Sequence, residues 1–345
     1  MKVTSIARLW VVGLLAFSVS VHAQQEAQTH FKSKINLTDE QISSISQGQI
    51  VTKVLPSPDK LGLLVFGAVY VNASIQKFAK IYEDVGKLQG ETVYLAVQEF
   101  AKNGSPVKLS DFDRVEFDKS DIDKLERCTP GDCDLQLLNG QEIKQQIDWK
   151  SKDKYAVVNK YVRQRAYDRA NVYMNGGLKA LGSYTDLKKP LNLYDAMKEM
   201  VDASYYLPKG KVPDIYGQIV DYPEGKMADA VNVFYWENIN FGQGPVFRIN
   251  HVSLFPNGHG PAKLIVANKQ LYASKYMRTA LQMFYFVPDT QNPNKPGFYL
   301  IEMSDSRLPD LGGLKLTVVR KIATSTAVEG THDTLEIFRR RSTAN

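Results

Sequence analysis

Cysteine and histidine are both scarce in this chain of 345 residues, and each scarcity removes a class of chemistry. The two cysteines are Cys128 and Cys133, and Pro130-Gly131 between them is a turn that can bring the two Cα atoms within bridging distance. A metal site would need two more ligands, and neither a histidine nor a second cysteine pair lies nearby in the chain. The pair is therefore read as a disulfide, the default in an exported protein, closing so short a loop that it acts as a local staple. The five histidines are dispersed at 22, 30, 251, 259 and 332, and only His251 falls inside a strand-like run. The Gly-x-Ser-x-Gly elbow, the Walker loop, the dinucleotide fingerprint and the His-Glu-x-x-His zinc motif are all missing. No catalytic nucleophile, metal or cofactor is expected from the sequence.

Long apolar runs are equally rare. One stands at the start, residues 9–21, behind Lys2 and Arg8 and ahead of the small-x-small site Val21-His22-Ala23. That order predicts a cleaved signal peptide over residues 1–23, and no later run is long enough to span a bilayer. Without a cysteine near the cleavage site for lipidation, the expected location is periplasmic or secreted. The formal net charge of +6 falls by two, the charges of Lys2 and Arg8, to +4 once the leader is removed. So mild a balance, with no accompanying motif, argues against a nucleic-acid partner. There is no repeat of fixed period and no low-complexity tract.

What the chain has in quantity is strand-like sequence in its second half. Residues 230–241, 246–255, 262–274, 281–289 and 297–306 are rich in aromatic and β-branched residues, and Gly, Pro and Asn fill the gaps between them. Earlier strands are expected over 61–73, 92–101 and 111–117, with a short extended piece over 50–55. Residues 24–33 read as a disordered polar start. Thr38 with Gln41 forms a capping box that opens a helix ending near Gly48, and Ser74 caps another over 75–85. From about 140 to 207 the pattern turns helical, interrupted at Gly176-Gly177. Its basic residues Lys154, Lys160, Arg163, Arg165 and Arg169 read as a solvated face. Residues 214–222 re-enter extended structure. A last helix follows Gly312-Gly313, with Leu314, Val318, Val319, Ile322, Leu335 and Phe338 on its apolar side and Arg339-Arg340-Arg341 at its end.

The candidate site comes from alternation along the first two late strands. Folding that hairpin about Gln243 sets Tyr235 opposite His251 and Glu237 opposite Ile249, which makes Glu237 a diagonal neighbour of His251 on a mostly apolar face. Arg248 lies on the face opposite His251 and is expected toward solvent or the helical block. A mostly apolar sheet face on which a few polar groups converge is what a ligand pocket needs. The candidate ligand-binding set is Tyr235, Glu237, His251, Gln270, Tyr272, Tyr276, Arg278, Tyr285 and Tyr299. A second reading stays open, in which Glu237 sits at a sheet margin and His251 is satisfied locally.

The stretch Val65–Ser74, Trp236 with Asn240-Phe241-Gly242, Lys269–Ser274, and Leu311-Gly312-Gly313 before the last helix together resemble the START-like superfamily. That helix-grip group includes Bet v 1-type proteins and polyketide cyclases. The Cys128–Cys133 loop is also similar to one shared by a set of exported bacterial proteins. The resemblance implies an α+β fold in which a curved antiparallel sheet grips a long C-terminal helix. Its parts would be an N-terminal helix and linker over 24–60, the domain proper over 61–139 and 208–345, and a helical insertion over 140–207. It also implies a cavity between sheet and helix for a lipid, sterol-like or other hydrophobic small molecule, with transient membrane contact at loading. Two alternatives accompany it: an enzyme of cyclase or hydrolase type in the same cavity, with His251 as acid/base oriented by Glu237, or an envelope protein-interaction module.

Overall fold

Alternating apolar residues in the late strands build a sheet that is buried on both faces. In the computed structural model, residues 27–82, 84–89, 91, 93–127, 140–184, 190–204, 213–240, 244–275, 277–289, 297–310 and 313–343 are described. Residues 1–23, where a leader is expected, and Cys128, Cys133 and Tyr276 lie outside them. The fold is α+β, with an eight-stranded antiparallel sheet and a long C-terminal helix. In chain order come helix α1 (residues 27–33), α2 (Asp39–Ser46), strands β1 (Val51–Leu55) and β2 (Gly62–Val71), α3 (Ile75–Tyr82) and β3 (Tyr94–Lys102). Helices α4 (Lys119–Arg127), α5 (Gly140–Gln146) and α6 (Lys154–Leu181) follow, then the two-residue pair β4 (Ser183–Tyr184) and β5 (Leu191–Asn192). Helices α7 (Leu193–Ala203) and α8 (Pro213–Val220) lead to β6 (Val231–Asn240), β7 (Pro245–Phe255), β8 (Leu264–Ala273), β9 (Thr279–Pro288) and β10 (Phe298–Arg307), and α9 (Gly313–Thr343) ends the chain. The large sheet runs β1-β2-β10-β9-β8-β7-β6-β3.

Side-chain alternation divides the sheet into two faces. One carries Phe66, Phe234, Trp236, Ile249, Ala267, Met283 and Tyr299, and the helical block from α4 to α8 packs on it. The other carries Val69, Val233, Val252, Val266, Phe284 and Leu300 under α3 and the C-terminal half of α9. The helical block therefore lies across the sheet from α9 and does not roof the space beneath that helix. Gly67 of β2 is the point of closest approach, because a Cβ there would come within 2.5 Å of Thr331 Cγ2 and 2.7 Å of Leu335 Cδ1.

Several expectations are corrected. Residues 27–33, expected to be disordered, form a helix: Ala27 and Phe31 are buried, and Phe31 meets Phe66 and Tyr299 edge-to-face at 5.8 and 6.0 Å. Residues 111–117 form no strand. Phe112, Val115 and Phe117 are buried against the helices, and side chains satisfy the backbone between them: Asn159 accepts from the Phe117 N–H at 2.7 Å, and Arg163 donates to the Val115 carbonyl at 2.9 Å. Residues 213–220 are helical instead of extended, since Ile215 and Ile219, four apart, turn one buried side to the sheet. Arg169 leaves the solvated face to donate to the Leu271 carbonyl at 3.1 Å, over the rings of Tyr184 and Tyr272. On α9, Leu335 and Phe338 are buried as expected, but Leu314, Val318 and Ile322 are exposed, Leu314 at 86%.

The capping box is formed as read. The Gln41 N–H donates to Thr38 Oγ1 at 3.2 Å and the Thr38 N–H donates to Gln41 Oε1 at 3.0 Å. Thr38→Ala removes one of these bonds and is expected to cost about 1 kcal/mol in chemical denaturation; an unchanged midpoint would show that α2 is held by packing alone.

Candidate functional site

The register of the β6–β7 hairpin decides which polar groups meet. Phe234 pairs with His251, Tyr235 with Asn250 and Glu237 with Arg248, one residue away from the expected register. A slip of one residue exchanges faces. Glu237 and His251 therefore lie on opposite sides of the sheet, and the acid/base pair drawn from the sequence does not form.

His251 faces the helical block. Its ring stacks on Phe234 at 4.3 Å and touches Tyr222 at 4.6 Å. Asn232 Oδ1, 2.7 Å from Nε2, can only accept, so Nε2 carries the proton and Nδ1 accepts from the Tyr173 hydroxyl at 2.7 Å. Ser253 and Gln218 also donate to Asn232 Oδ1, at 3.1 and 2.6 Å. Burial, then the nearby Lys269, hold His251 well below its ordinary pKa and keep it neutral. Both ring nitrogens are satisfied, so this network ties α6 and α8 to the sheet and leaves the imidazole no hydrogen-bonding capacity for a ligand.

The α9 side holds a different constellation. Every second residue of β6 to β10 points there, and a diagonal run of these positions is polar: Glu237, Arg248 and Asn250, Asn268 and Gln270, Gln282, then Glu302, which pairs with Gly67. Glu237 Oε1 accepts from Arg248 Nε at 2.7 Å and from Asn250 Nδ2 at 2.9 Å. Asn268 Nδ2 donates to the Tyr235 hydroxyl at 3.0 Å and to Gln282 Oε1 at 3.1 Å, and Gln282 Nε2 donates to Glu302 Oε1 at 3.2 Å. Four buried atoms of the strip have no hydrogen-bond partner: Glu237 Oε2, Asn268 Oδ1, Gln270 Oε1 and Glu302 Oε2. Leaving a buried polar atom unmatched costs about 1–3 kcal/mol, so a group that donated to the strip would recover part of that cost. Burial pushes the Glu302 carboxyl up to about 8, with the Gln282 hydrogen bond opposing, and pushes the Tyr235 and Tyr94 hydroxyls up as well.

The apolar end of the same face is filled. Phe78 stands 4.3 Å from Phe286 and 4.9 Å from Phe338, which lies 5.6 Å from Phe284. Of the expected ligand set, Tyr235, Glu237 and Gln270 belong to the polar strip. His251, Tyr272, Tyr285 and Tyr299 are on the other face, where Tyr272 packs with Phe247 and Tyr299 with Tyr70. Arg278 is buried at the β8–β9 turn, its N–H bonded to the Arg307 carbonyl. Arg248 takes its place beside Glu237, against the expectation that it faced solvent or the helices. Asn250, Asn268, Gln282 and Glu302 were missed. The signal was a polar residue at an in-facing position of an otherwise apolar strand, repeated on adjacent strands.

A cleft of about 270 Å³ opens elsewhere, where the ends of β2 and β10 meet α7. Arg307 crosses it to pair with Asp59 at 3.1 Å and Glu199 at 3.0 Å, so two carboxylates share one guanidinium. None of the eight described members of the expected set lines it. Among the described residues no helix is long and apolar enough to cross a membrane, and no group of three or more His, Cys, Asp or Glu could hold a metal.

No protein-family model matches the sequence, and no curated protein matches it.

Proposed function

We propose that this chain is a START-like, helix-grip binding protein, exported behind its N-terminal leader, that holds an amphipathic small molecule of lipid or sterol-like kind between the sheet and α9. The observation that carries the reading is the strip of unmatched buried acceptors running from Glu237 to Glu302 beneath the long helix. A ligand's polar group would sit on that strip. Its apolar body would lie along the N-terminal half of α9, because the Phe78–Phe338 end is occupied by side chains. The exposed Leu314, Val318 and Ile322, four residues apart on one side of α9, are the surface suited to touching a bilayer during loading. An enzyme in the same place would have to work without the Glu237–His251 pair.

Organic extraction of the purified protein followed by mass spectrometry is expected to release one apolar or amphipathic compound in near-stoichiometric amount. Repeatedly empty extracts, together with no uptake of added fatty alcohols, would overturn the proposal.

A further inference from the structure

We infer that the molecule held at this strip carries a cationic nitrogen head, a primary amine or similar ammonium, seated against Glu302; the inference rests on the binding reading above. Three of the four unmatched atoms, Glu237 Oε2, Asn268 Oδ1 and Gln270 Oε1, can only accept, and the fourth, Glu302 Oε2, accepts once its carboxyl is ionised. The two amide oxygens are fixed in that role. Gln270 spends its NH₂ on the Met277 carbonyl at 3.3 Å, so a flipped amide would set oxygen against oxygen, and Asn268 spends its NH₂ on Tyr235 and Gln282. Each of these donor groups already has at least one protein acceptor: Arg248 and Asn250 have Glu237, Asn268 has Tyr235 and Gln282, and Gln282 has Glu302. A ligand that only accepts, whether an ester, a ketone or an anion, leaves the three obligate acceptors unmet. A hydroxyl offers one donor, whereas an ammonium offers three with a charge.

Charge singles out the seat. Glu237 is neutralised by Arg248, whose guanidinium lies 2.5 Å from Oε1. Glu302 is fully buried and lies beside Gly67, the position without a side chain, under Thr331 and Leu335 of α9. From β9 it accepts from the neutral Gln282, and the charges that act on the Tyr94 hydroxyl of β3 are Glu302 itself, Glu237, Arg248 and Arg341. No salt bridge reaches Glu302 among the described residues, and its second oxygen is unmatched. A metal ion is not the natural occupant, since no group of three or more acidic, His or Cys side chains converges among the described residues. An arriving ammonium supplies the missing counter-charge, and Glu302 then gives up its proton to solvent.

The test is isothermal titration of the full protein at pH 7 with dodecylamine, dodecanol and dodecanoate, each below its micelle concentration, in two buffers of different ionisation enthalpy. Dodecylamine is expected to bind at least about tenfold more tightly than dodecanol, with dodecanoate weakest, since a charge-assisted pair adds more than about 1.4 kcal/mol. The buffer comparison should show a proton released as the amine binds, because a carboxyl titrating near 8 is mostly protonated at pH 7. Glu302→Gln should abolish both the proton release and the preference for the amine over the alcohol. Should that variant fold poorly, proton release by the wild type decides alone. Equal binding of amine and alcohol with no proton exchange, or preference for dodecanoate, overturns the cationic head and leaves the binding reading standing. If none of the three binds, both fall.

Discussion

Gly177→Ala is expected to remove more than about 4 kcal/mol of stability and to leave little folded protein, the sum of backbone strain and a clash that cannot relax. Gly177 breaks α6 at φ 64° and ψ −160°, a region open in practice only to glycine. A Cβ built there would lie 1.8 Å from the Tyr222 carbonyl oxygen. That carbonyl has nowhere to go, because the Tyr222 ring is stacked on Tyr173 at 5.7 Å and lies 4.6 Å from His251 in the network that binds helices to sheet. Gly182 supplies the control: φ is 67° there, but no atom lies within 4 Å of the added Cβ. Gly182→Ala should cost only about 1–2 kcal/mol, the strain without the clash. Soluble yield and urea midpoints of the two variants make the comparison; equal losses would show that the Tyr222 contact carries no weight.

Lys269→Met is expected to stabilise the protein at pH 7 by about 2–4 kcal/mol, the relief of a buried charge less one lost hydrogen bond. Lys269 is buried on the helical-block face, donates to the Ile219 carbonyl and sits 5.2 Å above the Tyr173 ring. No carboxylate among the described residues forms a salt bridge with it, and burial lowers its pKa from 10.5 to about 7 despite the opposing pull of Asp221. The sign follows from proton counting. Between pH 7 and 10.5 the unfolded chain holds more protons at this position than the folded one, so wild-type stability rises with pH across that window, and below 7 the penalty is complete. Glu302 works in the other direction, from 4.5 to about 8, where the folded form holds the extra proton and stability falls as pH rises. Denaturation between pH 8 and about 10 therefore isolates the lysine. The wild type should gain stability over that range and Lys269→Met should lose most of the gain. A variant weaker than wild type at pH 7 would mean that the Ile219 and Tyr173 contacts outweigh the burial of charge.

Periodicity made the scaffold legible: β2, β3, the five late strands, α3, the break at Gly177 and the long final helix all lie where residue spacing puts them. Registration was the weak point. Alternation within a strand says which residues share a face, but the pairing of two strands depends on the turn between them, and an offset of one residue moved Arg248 beside Glu237 and sent His251 to the other side. Residues 111–117 alternate like a strand, yet their backbone is satisfied by Asn159 and Arg163, more than 40 positions later. Residues 27–33 look too polar to order themselves, and it is the single Phe31, wedged against Phe66 and Tyr299, that anchors them. Partners distant in sequence leave no local trace. The polar strip had one, since Asn268, Gln282 and Glu302 each interrupt an apolar strand, but its meaning emerges only when adjacent strands align the interruptions.

The contact at Gly67 makes the two ends of α9 mechanically unequal. Toward its C-terminus the helix is bolted down by Thr331 and Leu335 over the glycine, by Phe338 among the phenylalanines, and by Arg340 and Arg341 on Glu91. Toward its N-terminus the described ties are fewer: Leu314, Val318 and Ile322 face water, and Arg320 holds on through the carbonyls of Lys60 and Gly62. Prying the helix from the sheet therefore takes least work at the Leu314 end, with the glycine contact as fulcrum and the two Arg320 hydrogen bonds as the latch.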